Sequence, residues 1–285
     1  MRGKVERQLR IYMNWLALDG TAVGCSGGRQ EDPLREICEA GYDGVQFIEP
    51  LSRKLVDGAR ALRLGVCGSG RVNEPGDSGR LAREAADAGL ECLTLHVGWG
   101  IEDDDAAERL ITAVLEASEK YSIPLYVETH RATIFQDMWR AVGFVRRFPE
   151  LRLNGDFSHW YTGQEMVYGG FEKKMEFIRP VLERVRFIHG RIGNPGCMQV
   201  DVGNGYVAGR PYIEHFRMLW MACFVDYLAD AKAAEFICFV PELLASDIFY
   251  ARMFDGREES DRWEQSLVLA RIARECFDAA VKLAP

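Results

Sequence analysis

Short apolar runs alternate with longer amphipathic segments eight times along this chain. That alternation restricts the fold more than any other feature of the sequence. The runs fall at residues 9–14, 44–48, 62–67, 92–97, 125–128, 151–156, 185–189 and 236–241. They are short and mostly apolar, as strands covered on both faces must be. Helical periodicity predicts helices over 32–40, 51–61, 78–88, 103–121, 134–147, 171–183, 211–231 and 260–283. In 211–231, Pro211 suits the first helical turn, and Ile213, Phe216, Trp220, Cys223 and Tyr227 form one apolar face. Eight strand–helix units close naturally into an α/β fold of one domain, a single (β/α)8 TIM barrel over residues 1–285. An open doubly wound sheet would carry a glycine-rich phosphate turn after its first strand. Asn14, Trp15, Leu16 and Ala17 stand there instead. Gly68, Ser69, Gly70 and Arg71 read as a turn, with anion binding through backbone N–H groups as the other reading.

Acids and imidazoles gather at the ends of these runs. Glu128 and His130 close the fifth, Asp156 the sixth with His159 three residues on, His189 the seventh, and Glu242 the eighth. His96 lies at the end of the fourth, so only His215 of the five histidines falls in a predicted helix. A parallel barrel brings such strand ends to one rim. A carboxylate over a packed interior is costly to desolvate unless a cation pairs with it. A salt bridge to Arg131, Arg152 or Arg191 could satisfy one acid, but three acids and an imidazole point to a metal. Glu128, Asp156 and Glu242, with an imidazole from the strand ends such as His189, are therefore candidate ligands of one divalent ion. The oxygen-rich set suits Mn²⁺ or Mg²⁺, and Co²⁺ or Zn²⁺ is also compatible.

The remaining features narrow the function classes. A net charge of −8 argues against a large nucleic-acid footprint. No apolar run reaches the ~18 residues of a membrane span, and the charged first residues lead into no signal-peptide core. Eight cysteines lack any C-x-x-C pairing, and Cys67, Cys92 and Cys238 sit inside strand runs as small hydrophobes. Reduced thiols fit a cytoplasmic protein. The long connections 159–170, 190–210 and 243–259 carry Trp160, Tyr161, Tyr168, Tyr206, Phe249 and Tyr250 and read as binding loops. Trp220 and these loops also leave open a homo-oligomer interface.

Six motifs in this order resemble the xylose-isomerase-like barrel superfamily, the sugar phosphate isomerase/epimerase group. They are GYDGVQFIE at 41–49, LTLHVG at 93–98, VETHR at 127–131, GDFSHW at 155–160, FIHGRIGNPGCMQV at 187–200 and VPELL at 240–244. The resemblance spans nearly the whole chain. It implies one divalent metal on Glu128, Asp156, His189 and Glu242. It further implies that Glu128 and Glu242 pass a proton next to a substrate carbonyl through an enediolate, with His159 as a catalytic partner. His96, His130, Arg191 and Trp160 would then face a small carbohydrate. The run after His189 differs from that of known ketose epimerases and hydroxypyruvate isomerases of the superfamily. The same site could instead eliminate a β-substituent, as a 3-keto-glycoside lyase or an inosose dehydratase does. An endonuclease IV-like repair enzyme would want more histidines, and a silent sugar binder would have lost a ligand.

Overall fold

A computed structural model describes residues 7–24, 33–206 and 208–284. Cys25, Val207 and Asp32, the expected start of the first helix, lie outside the described residues. Eight parallel strands close a barrel in sequential order: β1 (Gln8–Asn14), β2 (Gly44–Ile48), β3 (Gly65–Val72), β4 (Leu93–Val97), β5 (Leu125–Glu128), β6 (Leu153–Asn154), β7 (Val185–His189) and β8 (Phe236–Val240). β1 pairs with both β2 and β8, so no strand of the barrel has a free edge. The helices are α1 (Pro33–Glu39), α2 (Arg53–Ala61), α3 (Pro75–Asp87), α4 (Asp104–Tyr121), α5 (Met138–Arg147), α6 (Ser158–Gly163), α7 (Phe171–Phe177), α8 (Arg179–Leu182), α9 (Pro211–Ala229) and α10 (Arg262–Leu283). No described helix is long and apolar enough to cross a membrane.

The two-residue period of the strands divides the barrel interior into a dry half and a polar half. Tyr12, Cys67, Cys92, Tyr126, Phe187, Cys238 and Val240 pack together in one cluster. Two residues further along their strands stand Asn14, Thr94, Glu128, His189 and Glu242, all buried. Side chains two apart share a face, so β1, β4, β5, β7 and β8 each bring a polar group just above the apolar plug. Outside, α9 buries all five residues of its expected face. Each such burial is worth ~1.5–3 kcal/mol for a large apolar side chain. Trp220 packs edge-on against Phe239 of β8 and is fully buried, so it is unavailable to a partner chain.

Several boundaries differ from the sequence reading. β3 begins at Gly65 because Leu62 and Leu64 both donate to the Ala59 carbonyl and end α2 as a turn. Gly68 through Val72 then pair in register with Leu93 through Val97, so this stretch is strand and neither the expected turn nor an anion-binding one. A Cβ on Gly68 would stand 2.6 Å from a Leu93 methyl, which is why glycine suits the strand there. The expected helix 171–183 divides at Ile178, where Pro180 starts α8 without an amide to donate. α5 starts only at Met138, where the Asp137 carboxylate accepts the Arg140 amide as a cap. β6 is two residues long and its register against β7 shifts by one residue, which carries the chain out toward α6.

Candidate metal centre

Glu128 and His189 are the last residues of β5 and β7, while Asp156 and Glu242 follow β6 and β8 by two residues. One ligand atom from each of the four lies within 4.8 Å of the others. All four side chains are buried, and Glu242 is the most exposed at 8%. His189 Nδ1 stands 3.2 Å from Glu128 Oε2 and 3.4 Å from Glu242 Oε1. Two donor atoms each ~2.1 Å from a common ion, at 90–110°, are ~3.0–3.4 Å apart. The spacing therefore fits ligation of one cation.

Arg191 is the permanent cation of the cluster. Its Nη2 donates to Asp156 Oδ2 and lies 3.0 Å from Glu242 Oε2, and its Nε donates to Ser158 Oγ at 3.1 Å. Gly190 makes this placement feasible: a Cβ there would collide with the Phe239 ring at 1.9 Å. Three buried carboxylates against one guanidinium leave two negative charges, the complement of a divalent ion. Burial works against the Asp156 carboxylate, but the Arg191 guanidinium holds its pKa far below the usual range. Glu128 is likewise held low, against burial, by His189 and His96. Burial wins at Glu242, whose pKa is raised although His189 and Arg191 pull it down.

Polar neighbours orient the ligands. Gln46 donates from Nε2 to Thr94 Oγ1 at 3.0 Å, so its Oε1, 3.0 Å from His189 Nε2, accepts. The His189 Nε2 therefore carries a proton and Nδ1 is the nitrogen turned to the carboxylates. Asn154 holds the other side: its Oδ1 accepts the His189 amide and its Nδ2 donates to Glu128 Oε2 at 2.9 Å. Ser158 donates its amide and hydroxyl to Asp156 Oδ1 at 3.0 and 2.5 Å. None of these three residues was singled out by the strand-end pattern. Their signal was a lone polar side chain inside an apolar run for Gln46 and Asn154, and the Asp-x-Ser spacing for Ser158.

Above the ligands lies a row of imidazoles. The rings of His96 and His130 are 4.0 Å apart and those of His130 and His159 3.8 Å. His159, on the first turn of α6, accepts from Arg191 Nη2 at 3.1 Å through Nε2. Burial pushes its pKa down, so the neutral ring carries its proton on Nδ1, which is buried with no partner among the described residues. Tyr250 lies over Arg191 with its ring 4.5 Å from the guanidinium carbon, a placement no local spacing announces. Trp160, expected at the substrate, is instead fully buried with its indole N–H donated to the Phe135 carbonyl at 2.9 Å. α6 turns that side chain into the core, and Tyr161 goes with it. Tyr168, Tyr206 and Phe249 are exposed on the surrounding loops.

The protonation of His189 gives a first prediction. Burial disfavours the imidazolium, but Glu242 and Glu128 outweigh it and push the pKa up to about 9. At neutral pH a metal must displace that proton. Proton and metal compete, so affinity should fall ~tenfold per pH unit below that pKa and level off above it. Calorimetry in buffers of different ionisation enthalpy should show about one proton released per ion bound at neutral pH. Release of none would show that His189 is already neutral before the ion binds, against the raised pKa.

No protein-family model and no curated protein matches the sequence. Solved structures do match in fold. An L-ribulose 3-epimerase is 14% identical with a TM-score of 0.57, over 96% of each chain. A xylose isomerase-like TIM barrel protein from Mycobacterium smegmatis, in complex with magnesium, is 15% identical with a TM-score of 0.54, over 94% of this chain and 97% of that one. A xylose isomerase domain protein from Planctomyces limnophilus is 14% identical with a TM-score of 0.56, over 98% of each. Identities this low speak for architecture: the chain has the fold of the xylose-isomerase-like TIM barrels.

Proposed function

We propose that this chain is a divalent-metal-dependent isomerase or epimerase of a sugar or keto-sugar, acting by proton transfer next to a carbonyl. The observation that carries the reading is the convergence of Glu128, Asp156, His189 and Glu242, buried, with ligand atoms within 4.8 Å. The epimerase and the magnesium-bound protein of the same fold support it. Mn²⁺ or Mg²⁺ suits this donor set, and the bound ion supplies Lewis-acid polarisation of a substrate carbonyl.

The side chains supply the rest. Glu242 is the most exposed of the four candidate ligands and so stands nearest an incoming substrate. It takes the proton, and Glu128 or Glu242 itself returns it. The unpartnered Nδ1–H of His159 and the unpartnered Nη1 of Arg191 are donors for substrate oxygens. His96 and His130 line the same approach. Free thiols at the seven described cysteines fit a cytoplasmic setting.

The test is a solvent-deuterium exchange screen over keto-sugars and keto-glycosides with the Mn²⁺-loaded protein. Deuterium should enter the carbon beside the carbonyl of at least one substrate, and chelation should stop it. A fully loaded protein that exchanges none of them would sink the reading. His159→Asn should lower the exchange rate ~10²-fold or more, the scale of a positioned acid or base, with metal affinity unchanged. Full rescue of that variant by excess Mn²⁺ would instead make His159 a partner of the ligands.

A further inference from the structure

The geometry points to a second divalent cation beside the first, held by His96, Glu128 and His130, with Glu128 bridging the two ions. This rests on the metal reading of the first cluster and adds a separate site to it. One ligand atom from each of these three residues lies within 4.8 Å of the others, and only Glu128 belongs to both groups.

The two oxygens of Glu128 face different neighbours. Oε2 is turned to His189 Nδ1 and takes the Asn154 amide. Oε1 is buried, lies 3.3 Å from His96 Nε2, and has no hydrogen-bond partner among the described residues. The direction between them is thus wrong for an ordinary hydrogen bond, yet the spacing is that of two donors on one ion, ~3.0–3.4 Å. A fully buried carboxylate oxygen left unpartnered is costly unless a cation meets it.

His130 is prepared for the same role. Its Nδ1 contacts the Arg131 carbonyl, which only accepts, so Nδ1 carries the proton and Nε2 the lone pair. Among the described residues the hydrogen-bond partner at Nε2 is the Tyr250 hydroxyl at 3.4 Å, too long to hold it firmly. Two imidazoles and one carboxylate make a borderline-soft set, which suits Mn²⁺, Co²⁺ or Zn²⁺ better than Mg²⁺. Two divalent ions against three carboxylates and Arg191 leave the pocket positive. The second ion is therefore the weaker one, and it favours an anionic ligand in the open positions.

Equilibrium dialysis of the metal-stripped protein against Mn²⁺, followed by electron paramagnetic resonance, tests this. The wild-type chain should bind two ions and show the signal of an exchange-coupled pair. His130→Ala and, separately, His96→Asn should each bind one ion and show an uncoupled signal. Asp156→Ala should also bind one, now at the second position. A wild-type chain that binds a single ion, lost in Asp156→Ala, overturns the second site and leaves the proposed function intact. Two ions retained in both histidine variants place the second ion elsewhere and overturn the inference. No ion at all overturns both readings.

Discussion

Asp156→Ala should empty the first cluster of its divalent ion and bring catalysed proton exchange down to the background rate. Asp156 is fully buried and contributes one of three carboxylates to a set whose charge matches a divalent ion. Without it, two carboxylates against Arg191 leave a single negative charge, half of what a divalent ion needs at this cluster. The substitution also strands the amide and hydroxyl of Ser158 and one contact of Arg191. Each buried unpaired donor costs ~1–3 kcal/mol, so some loss of stability accompanies the loss of metal. Arg191 keeps Glu242 at 3.0 Å, which leaves the guanidinium compensated and the barrel folded. Asp156→Asn is the control, since its amide oxygen can still accept from Ser158. Circular dichroism, a metal titration and the exchange assay read the three effects separately. A folded Asp156→Ala chain that exchanges at the wild-type rate after rigorous chelation would show that the reaction needs no metal at this cluster.

Arg191→Met should destabilise the metal-free chain by ~3–5 kcal/mol, the usual cost of removing one partner from a buried ion pair. Its guanidinium is fully buried between Asp156 and Glu242. Methionine fills much of the space but leaves those carboxylates facing each other without their permanent cation. The pKa of Asp156 is held down chiefly by Arg191, against burial, so the pairing is worth most where Asp156 is ionised. The contribution is present above the ordinary carboxylate pKa and fades as pH falls through the depressed one. A bound divalent ion neutralises the same oxygens. Mn²⁺ should therefore raise the melting temperature of Arg191→Met by more than it raises that of the wild type. Urea melts in chelator measure the first quantity, and thermal melts with and without Mn²⁺ the second. Equal stability of the two chains in chelator would remove Arg191 from the account of the cluster.

The strand–helix alternation was legible in the sequence because each strand and helix is encoded locally. Short apolar runs bury on both faces, and the connecting segments show their period directly. The ends of those runs were legible for the same reason. Glu128 and His189 close β5 and β7 at the positions expected, and a barrel needs no further information to bring such ends together. The two-residue period even fixes that Glu128 points inward, above Tyr126.

What the sequence left open depends on contacts between distant residues. Gln46 reaches His189 across 143 positions of chain, and only closure of the barrel sets that pair face to face. Tyr250 arrives over Arg191 from a loop whose path no local pattern dictates. α6 is a single short helix, and its rotation decided that His159 faces the ligands while Trp160 enters the core. Both residues sit in the same motif, and nothing in its composition distinguishes them. The stacking of His130 between His96 and His159, and the divergent aim of the two Glu128 oxygens, likewise follow from side-chain packing at the rim. Residue types and their period determined which groups stand at the rim. The closed sheet decided which of them meet, because only there do side chains from eight strands compete for one small volume.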